Sequence, residues 1–178
     1  GSLFAEAPVR WTPWVSSSQW VEATLEGVTT HVDISVLHGE AVGIRLKTMG
    51  TTLVSGDTGT LDAYAYDQFN NEWTELVEVW EIMEQMAGNW LIPQSSYADF
   101  EAVIVGDWTV RATYMHEGTI AMSDEVVFTV LPGPLSSISV TGHGSQLTAD
   151  ENVNLNPVTR DLNQNLLSTD MLRWFIWD

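Results

Sequence analysis

Residues 41–84 read AVGIRLKTMGTTLVSGDTGTLDAYAYDQFNNEWTELVEVWEIME, and they align without a gap with residues 135–178, which read LSSISVTGHGSQLTADENVNLNPVTRDLNQNLLSTDMLRWFIWD. The offset is 94 residues, and the alternation of apolar and polar residues stays in step. The identical pairs are Ile44/Ile138, Gly50/Gly144, Leu53/Leu147, Leu61/Leu155, Asp67/Asp161, Asn71/Asn165, Trp80/Trp174 and Ile82/Ile176. A fixed period indicates a repeat architecture, and a period of this length in strand-like sequence suits one β-sandwich domain per repeat.

The two ends of the chain complete this pattern. Residues 10–24 align with residues 99–113 at an offset of 89, and residues 32–40 align with residues 126–134 at an offset of 94. A shorter turn in the first segment accounts for the difference between the two offsets. The beginning of the chain therefore resembles the second half of a repeat, and its end resembles the first half.

These alignments predict three units along the chain. Residues 1–40 are the C-terminal half of a repeat, residues 41–134 are a complete repeat, and residues 135–178 are the N-terminal half of another. Half a sandwich is one layer short of a core, so neither half can bury its own apolar face. The composite sandwich can be completed by successive subunits joined head to tail, by successive stretches of one covalent array, or by the chain folding back on itself.

The composition limits the possible partners. The chain has 24 acidic and 6 basic residues, a net charge of −18, and an apolar content of 44%. A surface so acidic repels phosphate groups, so we expect no nucleic-acid partner. No apolar run reaches the length of a membrane span, so we expect no membrane insertion in this segment. The chain has no cysteine, so each core must be held by packing alone.

Short alternating runs predict strands throughout and no sustained helix. In the complete repeat, the expected strands lie near residues 42–48, 59–66, 76–82, 100–105, 108–115 and 123–131.

Four recurring features point to a family. The first strand ends before Gly56-Asp57 or Asp150-Glu151, the second strand closes on Tyr66-Asp67 or Arg160-Asp161, and a third-strand Trp follows. The fourth feature is the run GDWTVRAT at residues 106–113. At these residues the chain resembles the bacterial and archaeal immunoglobulin-like (Big-type) tandem repeats of large cell-surface or extracellular fibre proteins. The resemblance implies an all-β fold of immunoglobulin-like sandwiches, an extracellular or cell-surface location, and no enzyme residues.

No motif for catalysis is present, and we expect neither an enzyme nor a cofactor. Calcium needs separate consideration, because Asp67 with Asn71, and Asp161 with Asn165, place oxygen ligands in two equivalent loops. Calcium binds six to eight oxygens, whereas each loop offers few carboxylates. Hydrogen-bonded turn chemistry explains the Asp-x-x-x-Asn spacing and is the preferred interpretation.

The aromatic residues divide into two groups. Trp80 and Trp174 on the third strand are expected to pack between the two sheets, together with Ile82, Ile176 and Trp11.

A second group of aromatics is expected to point outward. Because side chains alternate in a strand, Trp20, Phe175 and Trp177 face away from the core positions beside them. Adjacent strands would gather them into one patch, and large exposed apolar patches mark interaction sites. We expect this patch to contact another subunit or a neighbouring domain; a sugar-stacking platform is the alternative.

The sequence thus predicts a structural repeat unit of an extracellular filament, stalk or surface fibre, assembled head to tail through completion of a split immunoglobulin-like domain. Its partners would be copies of itself or adjacent repeats. The alternative is an adhesin or carbohydrate-binding module that uses the exposed Trp/Phe patch.

Overall fold

The computed structural model describes residues 12–177 except 75, 76, 78, 85–87, 117, 118, 143 and 145. These described residues form strands and turns and no helix, which confirms the all-β class. The strands are β1 Ser17–Leu25, β2 Val28–Val36, β3 Gly43–Thr48, β4 Thr52–Val54, β5 Thr58–Tyr66, β6 Glu72–Thr74, β7 Val79–Ile82, β8 Trp90–Pro93, β9 Tyr97–Glu101, β10 Gly106–His116, β11 Thr119–Leu131, β12 Leu135–Thr141 and β13 Asn156–Asp161.

The strands β3 to β11 build a two-sheet sandwich of immunoglobulin-like topology. One sheet has the order β3-β5-β9-β8, with β6 also paired to β5, and the other has the order β4-β11-β10-β7. All pairs are antiparallel except β4, which runs parallel to β11. The hairpin of β10 and β11 therefore lies in the middle of its sheet, with one strand at each edge.

The core lies between these two sheets. In β5 the side chains of Leu61, Ala63 and Ala65 are buried, and their neighbours in sequence point to the other face, as the period of two requires. Phe100 and Phe128 stack across the two sheets with ring centroids 4.8 Å apart. Such offset aromatic stacking adds to the burial of the rings themselves.

The strand expected at residues 100–105 is found at Tyr97–Glu101 instead. The side-chain oxygen of the buried Asn89 accepts hydrogen bonds from the backbone N–H groups of Val103 (2.6 Å) and Ile104 (2.8 Å). Because these two N–H groups donate to Asn89, they are not available to pair with a neighbouring strand, and β9 ends at Glu101.

The N-terminal segment forms a two-stranded sheet from β1 and β2. Its register repeats that of β10 and β11: Val21 lies opposite Val32, as Val110 lies opposite Val126. The offsets are 89 for the first strand and 94 for the second, as in the sequence alignment.

The C-terminal segment forms the other two-stranded sheet, from β12 and β13. Ile138 lies opposite Thr159, as Ile44 lies opposite Ala65 in β3 and β5, at an offset of 94. A strand around Trp174 was also expected, but residues 167–177 form none in this single chain. A strand needs a hydrogen-bonded partner: the equivalent strand β7 pairs with β10, whereas β1, the counterpart of β10 in the alignment, pairs with β2 alone among the described residues.

Candidate functional site

The turn between β5 and β6 is closed by one carboxylate. Asp67 Oδ1 accepts hydrogen bonds from the backbone N–H groups of Phe69 (2.9 Å) and Asn71 (3.0 Å), and the backbone N–H of Asp67 donates to the Asn71 carbonyl (3.2 Å). Asn70 takes a left-handed conformation with φ of 63°, which Asn tolerates better than most residues. This is the turn chemistry that the Asp-x-x-x-Asn spacing predicts.

The same turn also binds the segment that precedes the sandwich. Asp67 Oδ2 accepts a hydrogen bond from the backbone N–H of Gly39 at 2.8 Å. The Asn71 side chain accepts one from the backbone N–H of Ser16 at 2.9 Å and donates to the carbonyl of Trp14 at 3.0 Å. We call this set of contacts the first joint.

An equivalent set of contacts lies at the other end of the sandwich. Asp161 Oδ2 accepts a hydrogen bond from the backbone N–H of Gly133 at 2.9 Å. The Asn165 side chain accepts one from the backbone N–H of Val105 at 3.2 Å and donates to the carbonyl of Val103 at 2.7 Å. These contacts form the second joint, and each of its five residues is the counterpart of one in the first joint at an offset of 94 or 89.

The two joints differ in what surrounds this shared hydrogen-bond pattern. At the first joint, Trp14 stacks on Phe69 (centroids 6.4 Å apart) and His38 stacks on Trp73 (3.6 Å). At the second joint, Asn165 Nδ2 also donates to Ser55 Oγ at 2.9 Å. Aromatic stacking supports one joint, and an additional buried polar contact supports the other.

Both Asp carboxylates are held in the ionised form. Burial by itself raises the pKa of Asp67, but the hydrogen bonds from the Asn71 side chain and from the backbone N–H groups of Gly39, Asn71 and Phe69 outweigh it, so the pKa lies well below its usual range. Asp161 is buried and receives the matching donors, and its pKa is lowered for the same reasons.

The calcium candidates Asp67, Asn71, Asp161 and Asn165 are the four residues of these joints. The two carboxylates accept hydrogen bonds from N–H donors. The partial positive charge of these donors lies at the same oxygens that would have to bind a cation. Among the described residues, no group of three or more His, Asp or Glu side chains could hold a metal ion.

The aromatic patch predicted from Trp20, Phe175 and Trp177 is partly assembled in the single chain. All three side chains are exposed. Phe175 and Trp177 lie together with ring centroids 6.4 Å apart, whereas Trp20 makes an edge contact with His31 at 6.2 Å. The three residues therefore lie on two different segments, each with open apolar surface.

The candidate core residues fall into two groups as well. Trp80 and Ile82 are half-buried and pack against the core of the sandwich. Trp174 is 51% exposed and Ile176 is 96% exposed in the single chain. Trp11 lies outside the described residues, and its counterpart is the buried Phe100.

Other apolar residues of the C-terminal half are also open where their counterparts are covered. Ile138 is 53% exposed and Leu155 is 41% exposed, but Ile44 and Leu61 of the sandwich are 6% and 0% exposed. The apolar positions that are covered in the sandwich are thus exposed in the C-terminal segment.

The N-terminal half shows the same contrast. Val21 is 39% exposed in β1, whereas its counterpart Val110 is fully buried.

Sequence reasoning identified the Asp and Asn residues of the joints but missed that they bind across the boundary between units. A signal was available: both copies keep the Asp and the Asn, and the alignments also pair Gly39 with Gly133. The Asp-x-x-x-Asn turn does not need a glycine 28 positions earlier in the chain, so the paired glycines indicated a further contact.

Comparison with solved structures gives matches of different strength. The adhesin FdeC of Escherichia coli is 14% identical, with a TM-score of 0.54 over 84% of this chain and 52% of that one, so this chain spans about half of the FdeC structure. Domains 4–9 of the surface layer protein SbsC are 17% identical, with a TM-score of 0.36 over 86% of this chain and 25% of that one. A longer SbsC structure is 16% identical, with a TM-score of 0.39 over 86% and 21%.

No family model and no curated protein matches the sequence. Within the described residues, no helix has the length and apolarity needed to cross a membrane.

Proposed function

We propose that this chain is a structural repeat unit of an extracellular or cell-surface filament, stalk or fibre. In this proposal, each half-domain is completed by the complementary half of another unit, and no catalytic role is assigned. The observation that carries it is the set of open apolar side chains, such as Leu155 and Val21, whose counterparts Leu61 and Val110 are fully buried.

The energetics favour completion of the half-domains. Fully burying an aliphatic side chain contributes about 1.5–3 kcal/mol. Ile138, Leu155, Val21 and Ile176 together leave a substantial apolar surface in water. Among the described residues, the two-stranded sheets β1-β2 and β12-β13 also have unpaired edges, and such edges are templates for pairing with another chain. A complementary half satisfies both needs at once.

The two joints support a linear arrangement of units. The contact of Asp67 with Gly39 is repeated by Asp161 with Gly133, so each unit is attached to the next in the same way. A head-to-tail contact of this kind does not close on itself unless the rotation happens to complete a ring, and it therefore extends into an open assembly.

The proposed location is supported by the fold and by the charge. The fold is similar to that of FdeC, which is an adhesin. A net charge of −18 keeps a repeated unit soluble in salt-rich surroundings and discourages contact with nucleic acid.

The test is the state of the purified chain in solution, measured by light scattering after size-exclusion chromatography and by electron microscopy. We expect concentration-dependent linear assemblies. A compact, monodisperse single chain over a wide concentration range would overturn the proposal.

An adhesin or carbohydrate-binding role is the second candidate, because Trp20, Phe175 and Trp177 are exposed. Aromatic rings of this kind can stack on sugar rings. The roles are separated by a glycan-binding assay on assembled material: a structural unit covers the patch and binds no glycan, whereas a lectin keeps it open and binds.

A further inference from the structure

The intact sandwich shows how the hairpin of β10 and β11 is held at both edges. On one edge, β7 pairs with β10 so that Ile82 lies opposite Val110 and Glu81 lies opposite Arg111. On the other edge, β4 runs parallel to β11. Both flanking strands come from the first half of the repeat.

The equivalent hairpin of β1 and β2 has no such flanking strands among the described residues, where β1 and β2 form a sheet of two strands only. The counterparts of β7 and β4 are residues 173–176 and 146–148, both in the C-terminal segment, and neither is a strand in the single chain. The C-terminal segment thus contains the counterparts of both flanking strands. The β1–β2 hairpin has the two edges with which those counterparts would pair.

We propose that the C-terminal segment of one copy of this chain clamps the β1–β2 hairpin of a second copy. Residues 173–176 pair antiparallel with residues 21–24, and residues 146–148 pair parallel with residues 35–37. This inference rests on the proposed function and deepens it, because it names the partner and fixes the register.

The register places the right side chains on the inner face. Ile176 lies opposite Val21, as Ile82 lies opposite Val110 in the intact sandwich. Trp174 likewise lies opposite Ala23, as their counterparts Trp80 and Ala112 lie opposite each other in the intact sandwich. The counterparts in the intact sandwich all belong to its core or pack against it, so the exposed half-core of each copy becomes covered.

The outer face gains the aromatic patch. Phe175 lies opposite Glu22, and the pairing extends by one position, because the Met83 backbone N–H donates to the Thr109 carbonyl at 2.9 Å in the intact sandwich. The counterparts of that pair are Trp177 and Trp20. Strand completion therefore brings Trp20, Phe175 and Trp177 onto one surface.

A second copy is favoured over the same chain by the positions of the two joints. The first joint is built on Asp67, directly after β5, and the second joint contacts Ser55, shortly before β5. A strand rises about 3.2–3.4 Å per residue, so the two attachment points lie about 30 Å apart along the nine residues of β5. The two halves are thus tied to opposite ends of the intact sandwich.

The test uses disulfide trapping in the full chain, which has no cysteine of its own. The double variant Glu22→Cys with Phe175→Cys places two thiols at directly opposite positions of the proposed pairing. Opposite residues of antiparallel strands have Cα atoms about 4.5–5.5 Å apart, within the range that a disulfide spans. After oxidation, we expect a ladder of covalent oligomers on a denaturing gel, and reduction before the denaturing gel should convert this ladder to monomer.

The matched control is Glu22→Cys with Trp177→Cys, which moves one thiol by two residues on the same exposed face. Diagonal neighbours are about 7–8 Å apart, too far for a disulfide, so no ladder is expected. Each single variant forms at most dimers.

The outcomes separate the register from the proposed function. Assembly without a ladder in the Glu22/Phe175 variant, or equal ladders in that variant and its control, overturns the register alone. A disulfide-closed monomer overturns the choice of a second copy. Failure of the unmodified chain to assemble overturns both the inference and the proposed function.

Discussion

The side chain of Asn165 donates a hydrogen bond to the carbonyl of Val103 at 2.7 Å, although the two residues are 62 positions apart in the chain. The equivalent bond runs from Asn71 to Trp14 at 3.0 Å, on the opposite side of the same sandwich. Because the same contact occurs at both joints with different neighbouring residues, it is a property of the repeated sequence and does not depend on one local packing arrangement.

The first prediction concerns the loss of this contact. Asn165→Ala leaves the Val105 N–H and the Val103 carbonyl without their partner, which costs about 1–3 kcal/mol at a buried site. We expect hydrogen exchange at the Val105 amide to accelerate, while exchange at the Ser16 amide of the first joint stays unchanged.

Asn71→Ala should produce the reverse result, with faster exchange at Ser16 only. Asn152→Ala, at an exposed position, is the matched control. If both joints loosened together in either variant, the joints would not be independent structures.

The second prediction is the pH dependence of the joints. Asp67 and Asp161 have lowered pKa values in the folded chain. A lowered pKa contributes stability that is present above the unfolded value of about 3.9 and is lost as the pH falls through the folded value. We expect the joints to be unaffected between about pH 5 and pH 8 and to weaken progressively below about pH 4.

Amide exchange at Gly39 and Gly133, the N–H donors to these carboxylates, measures the effect. The variant Asp67→Asn should weaken the first joint at neutral pH and remove its dependence on acid. A joint that opened between about pH 5 and pH 7 would contradict this assignment.

The third prediction concerns the core of the intact sandwich. Trp80→Ala should destabilise this domain by about 3 kcal/mol, the lower end of the range for large aromatics, because the side chain is half-buried. The Trp80 Nε1 is buried and has no hydrogen-bond partner among the described residues. Trp80→Phe removes that polar atom together with some volume, so it should cost clearly less than Trp80→Ala in denaturant unfolding. Equal costs would show that ring volume does not decide the stability.

The fourth prediction concerns the aromatic patch. Phe175→Thr with Trp177→Met reduces its apolar surface, and Met stands at the counterpart of Trp177 in the intact sandwich. Glu, the counterpart of Phe175, is avoided because it would face Glu22 in the proposed pairing, and like charges opposite each other are destabilising.

If the patch contacts a neighbouring subunit or domain, each covered side chain contributes up to about 1.5–3 kcal/mol. We expect thinner or more flexible assemblies by electron microscopy, with both sandwiches still folded by circular dichroism. Fibres of unchanged diameter and stiffness would show that the patch has another role.

The strand pattern could be read from the sequence because alternation is local. The buried positions Leu61, Ala63 and Ala65 alternate with polar neighbours, and the all-β prediction is confirmed. The end of β9 could not be read, because it depends on Asn89, which binds backbone groups 14 and 15 positions away.

For the same reason, only the local part of the candidate site could be predicted from the sequence. The spacing of Asp67 and Asn71 predicts a turn, because the partners that close it lie within four residues. The contact of Asn71 with Trp14 spans 57 positions, and no local pattern encodes it. The exposure of Trp174 depends on pairing in the same way: its counterpart Trp80 lies in β7, which pairs with β10, whereas residues 173–176 pair with no strand among the described residues.

The parallel pairing of β4 with β11 determines how an array of these units would carry mechanical load. Tension would enter the intact sandwich at the start of β3, reach β4 next, and leave at the end of β11. Pulling β4 and β11 in opposite directions would make the two strands slide along each other and load their hydrogen bonds together in shear. If the intact sandwich yielded, the covalent chain would still connect its ends. In the proposed composite sandwich the corresponding strands would belong to different molecules, so rupture there would sever the fibre. The tensile strength would then be set at every second domain.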